Sequence, residues 1–136
     1  MNYLNISETT AHPLALYKNH LEFNGYQVTE EGDNLFCTHR RKMNLVLHNW
    51  YDRGVLVMSI FSCDRNVSKI ELLEYINELN SSFLFMTAYL SDERDLILQT
   101  FFDGDYDRTD FSILLDNIAF DEDIFCENES SKTYIK

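Results

Sequence analysis

Three pairs of short alternating runs, each pair closed by a tight turn cluster, constrain this chain more than any other feature. Tyr26 to Glu30 and Leu35 to Arg40 flank Glu31-Gly32-Asp33-Asn34; Asn44 to Tyr51 and Val55 to Ser62 flank Tyr51-Asp52-Arg53-Gly54. Ser82 to Leu90 and Leu96 to Phe102 flank Ser91-Asp92-Glu93-Arg94-Asp95. Alternation with a period of two sends successive side chains to opposite faces of a strand. Turns this short cannot hold a crossover helix, so the paired strands must run antiparallel.

Helical spacing fills the intervals. Ala11, Leu14, Tyr17 and Leu21 predict a helix between Thr10 and Asn24, with Pro13 in its first turn and Gly25 as its stop. Ser68-Lys69-Ile70-Glu71 is a capping box that opens a second helix, running to about Asn80. Phe111, Leu114, Leu115, Ile118 and Ala119 mark the apolar stripe of a third. The resulting order, α-β-β-β-β-α-β-β-α, is that of an α+β protein whose antiparallel sheet carries its helices on one face. With one proline and four glycines the chain has no linker to cut it. Residues 1–126 are read as one domain, and 127–136 as a flexible polar tail.

Sorting the strands by parity suggests an unusual surface. Leu56, Met58, Ile60, Leu84, Met86, Ala88, Leu90, Leu96 and Leu98 are assigned to the helix side. The opposite parity sets Val55, Val57, Ser59 and Phe61 beside Phe83, Phe85, Thr87, Tyr89, Ile97, Gln99 and Phe101. A contiguous aromatic surface of that kind exceeds what soluble monomers usually expose and reads as a seat for another polypeptide. Val57, Phe61, Phe85, Tyr89 and Phe101 are its candidate partner-binding residues. The second helix holds more apolar residues than one sheet contact needs, so Leu72, Ile76, Leu79 and Phe83 are candidates for a homodimer interface.

Charge and chemistry narrow the function. Eleven Lys and Arg against 23 Asp and Glu give a net charge of −12, which argues against nucleic acid or an anionic membrane as partner. No apolar run approaches a membrane span, and Met1-Asn2-Tyr3-Leu4-Asn5 lacks the character of a signal peptide, so a cytoplasmic protein is expected. Cys37, Cys63 and Cys126 are odd in number and form no CxxC pair, which fits reduced thiols. Asp103-Gly104-Asp105-Tyr106-Asp107 imitates the start of a calcium loop, but Arg108 and Leu114 stand where glycine and glutamate are required. A helix start capped by Asp107 or Thr109 explains the run better. His12, His20, His39 and His48 form no zinc motif, and no nucleophile elbow or phosphate-binding glycine loop occurs. No catalytic residue, metal or cofactor is therefore assigned. Arg40-Arg41-Lys42 reads as a solvated hairpin tip, with contact to an acidic surface as its alternative.

Ile76-Asn77-Glu78-Leu79-Asn80, the strand Phe83 to Leu90, Asp92-Glu93-Arg94-Asp95-Leu96-Ile97-Leu98 and the final amphipathic helix together resemble the YbjN-like family of bacterial sensory transduction regulators. Asn24-Gly25-Tyr26 followed by paired strands fits the same plan, and the likeness covers Ala11 to Phe125. Asn77 and Asn80 match the family's I-N-x-x-N signature. The resemblance implies a fold similar to that of type III secretion chaperones, which are acidic cytoplasmic homodimers holding extended segments of client proteins. The expected function is a non-enzymatic protein-binding module, chaperone-like or regulatory, for a protein or peptide client. The alternatives are a small-molecule binder with a pocket between sheet and helices, and an acidic immunity or inhibitor protein.

Overall fold

A computed structural model describes residues 11–136, and within them six strands form one antiparallel sheet. The predicted openings at Met1–Asn5 and Thr10 lie outside the described residues. The three hairpins are the building units: β1 (Gln27–Glu31) with β2 (Asn34–Thr38), β3 (Leu45–Asn49) with β4 (Gly54–Ser62), and β5 (Thr87–Leu90) with β6 (Asp95–Asp103). The β2–β3 and β4–β6 pairings join them in the spatial order β1-β2-β3-β4-β6-β5. Gly54 sits at φ 145°, and a Cβ there would meet the Phe102 carbonyl oxygen at 2.1 Å. Only glycine allows β4 to start this close to β6.

Four helices accompany the sheet in the described residues: α1 (Ala15–Phe23), α2 (Lys69–Ser82), α3 (Arg108–Glu127) and α4 (Glu129–Tyr134). The capping box forms as spaced, with the Glu71 amide donating to Ser68 Oγ at 3.1 Å and the Ser68 amide to the Glu71 carboxylate at 3.3 Å. Asp107 caps α3 by accepting the Asp110 amide at 2.9 Å, which accounts for the calcium-like run. Tyr17 of α1 stands edge-on to Phe102 of β6 and Phe111 of α3, at 5.9 and 5.0 Å between ring centres. That aromatic contact locks α1, α3 and the sheet together over Leu35, Cys37, Leu45, Leu47, Leu96 and Leu98, all fully buried.

Four expectations are corrected. First, β4 is turned over. Its register with β6 sets Val55 opposite Phe102, Val57 opposite Thr100, Ser59 opposite Leu98 and Phe61 opposite Leu96. Val55, Val57 and Ser59 therefore lie under the helices, and Leu56, Met58 and Ile60 face outward. Ser59 is tolerated inside because its hydroxyl donates to the Asn44 carbonyl at 2.7 Å. Second, Leu72, Ile76, Leu79 and Phe83 are buried within the chain, so the proposed dimer interface is core. The extra apolar width of α2 is consumed by β5, α3 and the C-terminal segment packed around it.

Third, the polar segment 127–136 is docked. Asn128 caps α4 by accepting the Ser130 amide at 2.8 Å, and Tyr134 stands edge-on to Tyr75. Tyr75 and Ser131 share a buried hydroxyl–hydroxyl hydrogen bond. Ile135 then bridges to Cys63, and the Lys136 amide donates to the Ser62 carbonyl at 2.9 Å. The serines and asparagine that suggest solvation from composition here serve as caps and buried partners.

Fourth, the third hairpin is shorter than its sequence suggests. Asp121 of α3, wholly buried, accepts the amides of Leu84, Phe85 and Met86 at 3.1, 2.8 and 2.7 Å. Three donors on one carboxylate hold this segment as a loop and delay β5 until Thr87.

Candidate functional site

The face of the sheet opposite α1 and α3 is covered by no described element. Strand register places its residues without ambiguity. One row crosses the sheet through Thr29, Phe36, Val46, Met58, Gln99 and Thr87, and a neighbouring row includes Ile60, Ile97 and Tyr89. A third contains His48, Leu56 and Phe101, beyond which Trp50 stands edge-on to Phe101 with 6.3 Å between ring centres. Ile60 and Trp50 are half exposed, and Tyr89 and Phe101 keep 40% and 39% of their surface. Phe36, Val46, Leu56, Met58 and Ile97 fill the ground between them at intermediate burial. The strand positions of this centre hold no Asp, Glu, Lys or Arg.

Charge gathers at its ends. The β1–β2 turn, the β3–β4 turn and the end of β6 all lie at the Trp50 end, where Glu31, Asp33, Asp52, Asp103 and Asp105 are exposed beside one cation, Arg53. Tyr51, also exposed, donates its hydroxyl to Asp33 at 2.9 Å. At the other end Arg40, Arg41 and Lys42 stand in the β2–β3 connection, and Asp92, Glu93, Arg94 and Asp95 in the β5–β6 turn. The basic tip is anchored to α3 through its neighbour Met43, whose amide donates to Glu122 at 3.1 Å. Burial raises the Glu122 carboxyl above its ordinary range, against the lowering effect of that amide.

Two of the sequence-predicted partner residues, Tyr89 and Phe101, belong to this face. Val57 is fully buried beneath the helices, and Phe61 turns to the same side, its ring tilted against that of Phe125 with 4.8 Å between centres. Phe85 lies in the loop tied down by Asp121, against Phe120 at 6.1 Å and away from the sheet face. The residues that parity alone missed are Leu56, Met58 and Ile60, with Phe36, Val46 and Trp50 added by the neighbouring strands. Their signal was the pairing of β4 with β6, where Gln99 marks the outward parity.

The edges of the sheet differ in chemistry. Asn80, from the I-N-x-x-N match, donates its side-chain amide to the Ala88 carbonyl at 3.0 Å and accepts the Ala88 amide at 2.8 Å. It thus occupies both outward backbone groups of Ala88 on the outer strand β5, whereas Asn77 is exposed on α2. On the helix side His20 engages both ring nitrogens, Nδ1 with the Tyr106 hydroxyl at 2.8 Å and Nε2 with that of Ser112 at 3.1 Å. Burial, helped by Arg108, holds its pKa below the usual value, so the ring is a neutral strut between α1 and α3.

No helix of the described residues is long and apolar enough to cross a membrane. No family model matches the chain. No curated protein matches it. Among solved structures it is similar to YbjN from E. coli, described as a candidate transcription regulator, with a TM-score of 0.71 and 12% identity over 90% of this chain and 95% of that one. At that identity the likeness speaks to backbone architecture, and it spans nearly all of both molecules. The chain has the YbjN-like α+β fold, with a six-stranded antiparallel sheet whose face opposite α1 and α3 is covered by none of the described elements.

Proposed function

We propose that this chain is a non-enzymatic protein-binding module, regulatory or chaperone-like, that holds a segment of a partner polypeptide on its bare sheet face. The observation that carries the reading is the continuous apolar surface formed by Trp50, Leu56, Met58, Ile60, Tyr89, Ile97 and Phe101. Antiparallel sheets often leave one face to water, but that face then alternates to polar side chains. This one keeps aliphatic and aromatic groups on four adjacent strands, with rigid aromatics of the type that dominate binding energy in interfaces. The regulator description attached to YbjN agrees with such a role.

Site-specific photocrosslinking tests it. A benzophenone side chain at Ile60 should yield a discrete adduct with another polypeptide in cells expressing the protein, and Met58→Asp should remove it. The same probe at Ile70, exposed on α2, should give none. Equal adducts from both positions, or none from Ile60, would refute the reading.

A further inference from the structure

The charge and shape of the bare face specify its occupant. We propose that it docks an amphipathic helix of a partner protein, apolar on one side, with Lys or Arg side chains placed over the Trp50 end of the sheet. This rests on the protein-binding reading above and names the partner's chemistry.

The first step concerns backbone. A peptide laid flat on side chains cannot pair its amides with the sheet, so an extended segment would leave N–H and C=O groups unsatisfied against an apolar surface. A strand would need an edge: at β5 Asn80 already occupies the Ala88 amide and carbonyl, and the other edge, β1, ends in Glu30-Glu31 and lies three strands from β4, off the apolar centre. A helix satisfies its own backbone and presents a single apolar stripe.

The second step concerns size. From the Gly54 row to the Ile60 row is a span of roughly 20 Å at ~3.4 Å per residue, which a helix of about 13 residues covers at ~1.5 Å each. The apolar width from Val46 of β3 across Met58 and Ile60 of β4 to Ile97 of β6 and Tyr89 of β5 covers neighbouring strands ~4.8 Å apart and seats one helix of ~10 Å diameter.

The third step concerns sign. Glu31, Asp33, Asp52 and Asp103 are exposed in the turns and strand ends at the Trp50 and Phe101 end, with Arg53 the single Lys or Arg among them. Aromatic faces rimmed by carboxylates favour a cation, by Coulomb attraction and by the ring quadrupole. A second copy of this chain is a poorer match. It brings a further net charge of −12 to a surface whose exposed end is already acidic.

Trp50 is the only tryptophan in the chain, so the site carries its own reporter. The test titrates the full chain with three 14-residue amphipathic helical peptides sharing one apolar stripe and differing at flanking positions: Lys, Gln or Glu. The Lys peptide should shift Trp50 emission to the blue and saturate, and raised salt should weaken it. The Glu peptide should leave the emission unchanged. A triple variant, Asp33→Asn, Asp52→Asn and Asp103→Asn, should keep its fold by circular dichroism and lose about tenfold in affinity for the Lys peptide.

Equal binding of all three peptides would overturn the charge assignment and leave the protein-binding reading standing. Silence towards all three, with a polypeptide still captured at Ile60, would overturn the helix and spare that reading. Silence together with no capture at Ile60 would remove both. A concentration-dependent shift of Trp50 without peptide would assign the face to a second copy and overturn the proposal.

Discussion

Replacing Asp121 with alanine removes the single acceptor of three amides. Leu84 donates to one carboxylate oxygen, and Phe85 and Met86 to the other. A buried donor stripped of its partner costs ~1–3 kcal/mol. The Met86 bond lies in buried surroundings, whereas the Leu84 and Phe85 bonds are partly buried and their amides can regain water. The sum for Asp121→Ala is therefore about 3–5 kcal/mol. Asp121→Asn keeps one oxygen, which serves Phe85 and Met86, and loses the Leu84 bond to an opposing amide, at about 1–2 kcal/mol. With a urea slope of ~1.5 kcal/mol/M, the unfolding midpoint followed by circular dichroism should fall ~2–3 M for alanine and ~1 M for asparagine, the slope unchanged. A loss below ~0.5 M for Asp121→Ala, or an asparagine variant weaker than the alanine one, would refute the three-amide account.

Four further outcomes follow from other parts of the molecule. Val57→Asp should abolish the cooperative unfolding transition by burying an unpaired charge, whereas Ile60→Asp should melt within a few degrees of the parent. Leu72→Ala should cost about 2–5 kcal/mol in urea and leave the mass in solution unchanged, because Leu72 is core. Titration with a disulfide reagent should find one accessible thiol, Cys126, in the native protein. Cys37, its thiol pushed up to about 12 by burial, should react only on unfolding. Burial also raises the hydroxyls of Tyr17, Tyr26 and Tyr75 to about 12, from 10.0. The fold favours their neutral form, so this stability is complete below pH 10 and lost as pH rises from 10 towards 12. Phenolate absorbance and circular dichroism should therefore change together in that window; ionisation of all tyrosines near 10 with the fold intact would contradict it.

What was legible in the sequence was what depends on near neighbours. The first two hairpins and the Ser68–Glu71 box are set within a few residues and stand as read, and of the two caps offered for the last long helix, Asp107 and Thr109, the structure uses Asp107. The sidedness of β4 was hidden because both of its parities are apolar: Val55 and Val57 on one, Leu56, Met58 and Ile60 on the other. Only a ladder with a strand some forty residues later decides between them. Tyr89 and Phe101 were placed correctly because β6 alternates cleanly, with Gln99 between its outward apolar residues. Phe85 was misjudged because its position depends on a carboxylate 36 residues away. Likewise Ser131 is a docking group only because Tyr75 waits for it. The site was half visible, since its aromatics announced a surface while the strand that centres it gave no sign of which way it faced.

The Asn80 side chain, fitted to Ala88 as a neighbouring strand would be, makes the sheet one-ended. Sheets with two bare edges can add copies without limit, the geometry of fibres. Here β5 ends in an imitation of pairing, so growth by strand addition is confined to β1 at the other end of the order. Two molecules meeting β1 to β1 about a two-fold axis would close on each other and leave only plugged ends outside. Asn80→Ala would expose that second end, and a sheet with two open edges has the geometry of a polymer.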